Sequence, residues 1–138
     1  MKTFLLLSLL AVAACGVKHS SVDYGKTTTS ALIAEKGEPL EKSAPEKSIE
    51  IYQYADNEKF QIKGDVVTHG FKDPKGDEKT LLFWKHKFKD CETISRKISE
   101  RKGHELPEYE LKCPALGTTV IYTEGSEFVS RVVEHEKQ

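Results

Sequence analysis

Long hydrophobic runs are nearly absent from this chain of 138 residues: only residues 4–14 form one. A bilayer-spanning helix needs about 20 such residues, so a polytopic membrane protein is excluded. One-sided charge is also missing, with 21 Lys plus Arg against 22 Asp plus Glu and a formal net charge of −1. That balance gives no general pull toward nucleic acid, whose binders concentrate basic surface. The five histidines, at 19, 69, 86, 104 and 135, form no HExxH pair, and the three cysteines form no closely spaced cluster. Metal-ligand spacing is therefore lacking, and His86 between Lys85 and Lys87 reads as an exposed polar residue. Ser126 lies in EGSEF rather than in a GxSxG elbow, no glycine loop resembles a phosphate cradle, and the carboxylates are scattered. Neither a nucleophile with its base nor a pair of catalytic carboxylates is nominated. The expectation is a non-enzyme with no cofactor, no metal and no small-molecule substrate. At 38% apolar and 31% charged, the chain has the make-up of one small domain or two very small ones.

What is present begins with an address. MKTFLLLSLLAVAACG has one cation, a short apolar stretch and small residues before Cys15, the layout of a secretory signal. Residues 1–14 are accordingly excluded from the fold. Val12-Ala13-Ala14-Cys15 resembles a bacterial lipobox, which implies lipidation at Cys15 and cleavage before it; the competing reading is an ordinary signal with an incidental cysteine. Several acyl chains would anchor durably, at about 0.8 kcal/mol per buried methylene. Gly16 follows the cysteine, where Asp would resemble an inner-membrane retention signal, so the expected destination is the periplasmic face of the outer membrane. Cys91 and Cys113 remain as an even pair, for which an oxidising compartment favours a disulfide; two free thiols or a redox pair are the alternatives.

Along the mature chain, residues 15–26 read as a lipidated tether. A first unit (27–72) opens with a helix capped among Thr27, Thr28 and Thr29 and stopped by Gly37 and Pro39. An exposed loop (38–48) follows, and then strands with period two that turn at Asp56-Asn57 and Gly64-Asp65. A second unit (73–138) begins with residues 81–88. Leu82, Trp84, His86 and Phe88 alternate as a strand would, but a helix starting at Asp77 or Thr80 is preferred. After a long polar loop past Cys91 come three strands near 109–113, 118–123 and 128–134. The fold class expected is α+β, with short helices on one face of an antiparallel sheet and a helix-plus-three-strand unit that repeats. The repeat rests on little more than a shared Tyr, acidic turn, Phe pattern, and the two units also read as one continuous domain.

The segment GKTTTSALIAEKGEP, at 25–39, carries Gly25, Thr27, Leu32, Gly37 and Pro39, with Tyr52 and Tyr54 in the first strand after it. These positions resemble the signature of SmpA/OmlA-type (BamE-like) outer-membrane lipoproteins, although the spacing from Gly25 to Gly37 is one residue longer than the usual pattern. The tandem arrangement resembles the β-lactamase-inhibitor-protein-like fold. Both resemblances imply protein binding rather than catalysis, with barrel-assembly components as the envelope partners. The alternative expectation is a periplasmic inhibitor or chaperone-like module that captures an enzyme or client.

Charge is unevenly distributed: residues 63–102 hold eleven Lys or Arg against seven Asp or Glu, and residues 105–138 hold three against seven. In WKHKFK, Trp84, Lys85, Lys87 and Lys89 interleave aromatics with cations. Three readings stay open for it. It binds anionic headgroups, it docks an acidic partner, or it is the solvated side of a helix whose Trp84 and Phe88 belong to the core.

Overall fold

The computed structural model describes residues 22–138; the signal segment and Cys15 lie outside them. Helix α1 (Thr29–Lys36) starts where the Thr28 Oγ1 accepts the Ala31 N–H. It ends at Gly37, whose φ of 83° lets its N–H reach back to the Ile33 carbonyl. Four strands follow: β1 (Glu41–Glu46), β2 (Ile49–Gln53), β3 (Lys59–Lys63) and β4 (Val66–Lys72). Helix α2 (Leu81–Lys87), capped by Thr80, then leads into β5 (Ile94–Lys97), β6 (Glu108–Cys113), β7 (Thr118–Thr123) and β8 (Val129–His135).

All eight strands form one antiparallel sheet in the order β1-β2-β3-β4-β8-β7-β6-β5. Each half lays its first strand at an outer edge and works inward, so the halves meet where β4 pairs with β8. The chain is thus α+β, with both helices on the same face. Strand alternation puts Tyr52, Phe60, Ile62 and Val67 under Leu32 of α1, and Leu111, Val120, Val129 and Val132 under Leu81 and Trp84 of α2. Cys91 and Cys113 form a disulfide that ties the turn after α2 to the end of β6.

The repeat is a helix plus four strands, not three. Residues 38–48 and the stretch after Cys91, read as loops, contain β1 and β5. Every residue of EKSAPE and ISRK is exposed, so neither strand carries the burial alternation by which a strand is recognised. Charge, Pro45 and a bulge between Ser43 and Glu46 are the means by which sheet edges avoid further pairing.

The tether is also shorter than the sequence implies. Val22 and Tyr24 pack against the α1 core, and the Gly25 N–H bonds to the Val67 carbonyl, so residues 22–26 belong to the fold. Tyr24 fastens the β4–β8 seam. Its hydroxyl donates to Glu134 Oε2 at 2.9 Å, and Lys72 Nζ meets Glu134 Oε1 at 3.1 Å. Burial, then the Glu134 charge, push the phenol well above its ordinary range, so it stays protonated and donating. Gly70 lies directly beneath, where a Cβ would collide with the phenol oxygen.

Candidate functional site

The same alternation that fills one face leaves the other without helices. On it, Phe71 of β4 pairs with Val133 of β8, and Ile121 of β7 lies two strands from Phe71. These side chains floor a groove of about 600 Å³ across the seam. A second groove of about 340 Å³ shares Phe71 and continues to Ile51 of β2. Lys59, Lys112 and Arg131 line this trough, and among the described residues none of them is in an ion pair. Arg96 and Glu110, paired at 2.9 Å, close one side.

His69 and His135 face each other across the seam, their ring centroids 6.3 Å apart. The His135 Nδ1 lies 2.9 Å from the Glu136 carbonyl oxygen, which can only accept. The Nδ1 is therefore a donor, and Nε2 lies 3.0 Å from the Thr119 hydroxyl oxygen. The His69 Nδ1 lies 3.1 Å from the Thr68 hydroxyl oxygen and 3.3 Å from the Gln61 amide nitrogen, so this edge of the ring is held in a side-chain hydrogen-bond network. Burial lowers the pKa of His69, with smaller contributions from His135 and Lys112.

A stability prediction follows from that direction. The unfolded chain takes up a proton at His69 near its ordinary value of about 6.5, whereas the folded chain resists it. The contribution of His69 is then complete above that value and declines as the pH falls through it. His69→Gln is expected to lose less stability than the wild type between about pH 8 and about pH 5.5, as read from urea midpoints; parallel losses would contradict it.

The residues singled out in the sequence are placed elsewhere. Trp84 is corrected as a surface contact: it is 2% exposed and its indole N–H donates to the Glu78 carbonyl at 2.7 Å. Leu81, Trp84 and Phe88 fall on one side of α2 and are buried together, which turns Lys85, Lys87 and Lys89 outward. The Lys87 ammonium lies over the Trp84 ring, 5.1 Å from its centroid, and Lys85 and Lys89 are exposed. Gly25, Thr27, Leu32, Gly37 and Pro39 seat α1 and its entry turn. Thr27 Oγ1 accepts the Asp23 N–H, Leu32 is fully buried, and the Gly37 carbonyl accepts the Tyr54 hydroxyl at 3.0 Å.

The trough residues share no local sequence signal, because they come together only through the β4–β8 pairing. Among the described residues no cluster of three or more His, Cys, Asp or Glu is arranged for a metal, and no helix is long and apolar enough to cross a membrane.

No protein-family profile and no curated protein sequence matches the chain. In structure it is similar to YjgB, a DUF4309 family protein from Bacillus subtilis subsp. subtilis str. 168, with a TM-score of 0.51 and 12% sequence identity over 86% of this chain and 84% of that one. That likeness is one of fold.

Proposed function

We propose that the chain is a non-enzymatic, lipid-anchored protein of the bacterial envelope that binds another protein through the helix-free face of its sheet, in outer-membrane assembly or maintenance. The observation that carries this reading is the trough: an apolar floor of Phe71, Ile121 and Val133 beside unpaired cations. An uncovered apolar strip of this kind marks a binding surface. Lys59, Lys112 and Arg131 outnumber the Glu136 and Asp73 carboxylates that share the trough, which favours a partner segment with carboxylates around an apolar anchor. The lipobox at Cys15 and the SmpA/OmlA-like helix motif support the envelope setting and a lipid-anchored role there.

The test is a photo-crosslinking amino acid placed at Ile121, on the trough, or at Glu35, on exposed α1, in cells expressing the full chain. Adducts from position 121 and not from 35, identified as barrel-assembly or other outer-membrane proteins, are expected. A soluble hydrolase in the adduct would convert the reading to that of an inhibitor. Equal labelling from both positions, or none, would remove the trough as the docking face.

A further inference from the structure

The helix-bearing face carries an apolar projection of its own. Leu82 is 76% exposed and Phe128 is 64% exposed, whereas every other Phe, Tyr and Trp among the described residues is at least partly covered. The two are held together: Thr80 bridges to Phe128, and the Leu81 N–H bonds to the Glu127 carbonyl at 2.8 Å. With Tyr122 beneath, they border a depression of about 680 Å³. Along α2, Leu82 shares its outward side with Lys85 and His86, one turn on. From Lys79 to Lys89 there are four lysines and no carboxylate; Glu127 is the acidic residue bordering the depression.

The chain enters the fold on this same face. Tyr24 covers Gly70 at the seam and bonds to Glu134, six residues along from Phe128, or about 20 Å of strand. Seven steps of chain separate Cys15 from Val22, a reach of about 25 Å at most.

We infer that the helix-bearing face lies against the bilayer surface, with Leu82 and Phe128 inserted among acyl chains and Lys85 and Lys89 among anionic headgroups. Exposed apolar side chains beside cations bind such an interface through burial and charge together. The helix-free face then points away from the membrane. This inference rests on the anchored reading only for its proximity to the bilayer.

The test uses the full chain extracted from native envelopes and reconstituted into vesicles of phosphatidylethanolamine and phosphatidylglycerol brominated on their acyl chains. Wild-type emission comes from Trp84, which is buried, and serves as the baseline. Phe128→Trp is expected to add emission that bromine quenches and aqueous iodide does not, and Leu82→Trp to behave alike. Added emission open to iodide and untouched by bromine in both variants overturns the inference. So does emission exposed in vesicles but shielded in native envelopes, which would assign the patch to a protein. Mass measurement of the same preparation reads the acyl chains separately: an unacylated chain sinks the anchor, whereas an acylated chain without bromine quenching sinks this inference alone.

Discussion

Trp84→Ala is expected to destabilise the fold by about 3–5 kcal/mol, the range for removing a large aromatic side chain from a packed core. The indole is 2% exposed and is the largest of the fully buried side chains. It meets Phe83 edge-on at 5.3 Å and Phe88 at 5.6 Å between ring centroids. Helix α2 has only seven residues, far below the about 12–15 at which an isolated helix becomes even marginal in water. Its persistence therefore depends on this anchor, and loss of the indole should loosen α2 as well as leave a void. Trp84→Phe keeps most of the volume and loses chiefly the hydrogen bond to Glu78, an effect of about 1 kcal/mol. Urea midpoints followed by far-UV circular dichroism would measure both variants. A change below about 1 kcal/mol for the alanine variant would place Trp84 outside the core and restore it as a surface contact.

The second large effect concerns the bridge between Cys91 and Cys113, which are 22 residues apart. Closing a loop of that length contributes about 3 kcal/mol in the chain-entropy account, and a double Cys→Ala variant is expected to lose about that much. The enclosed segment explains why the bridge matters here. It contains β5, exposed at every residue, and a connection to β6 that adds little to the core, since Pro107 is its only buried residue. Besides the pairing of β5 with β6 and the bond from the Glu124 N–H to the Pro107 carbonyl, the cross-link ties this flank to the core. Oxidised and reduced wild type should differ by the same amount as oxidised wild type and the double variant. Equal midpoints for all three would show the bridge to be energetically idle.

Much of the interior was legible in the sequence, for reasons that single residues make plain. Thr28, Gly37 and Thr80 mark helix ends through backbone chemistry, and Gly64-Asp65 turns at φ of 59° and 63°, the conformation that such a hairpin demands. Strands β2, β3 and β7 showed themselves because their alternating residues meet different surroundings. The edges β1 and β5 meet solvent on every side and gave no such contrast. Residues 81–88 fitted two periods at once, and only the joint burial of Leu81, Trp84 and Phe88 decides for the helix.

The trough was hidden for a different reason. His69 and His135 are 66 positions apart in sequence, and neither carries a local signal of its neighbour. Their juxtaposition depends on the inward order of both halves, a topological property that no window of sequence contains. Ile121 reads as an ordinary strand residue, and Phe71 falls in a stretch rich in turn formers, GFKDPKGDEK at 70–79, although β4 runs on to Lys72; which face the helices cover is not told by alternation alone.

The inward order also sets a timetable. Strand β4 is complete at Lys72, yet its partner β8 begins only at Val129, after α2, β5, β6 and β7. Throughout synthesis of the second half, the flank of β4 stays a bare row of amides and carbonyls, open to any strand that passes. Closure of β4 on β8 spans the longest sequence separation in the sheet and so carries the largest loop-closure cost of its strand pairings. A chain cut short before Val129 would lack β8 and keep that rim bare and adhesive.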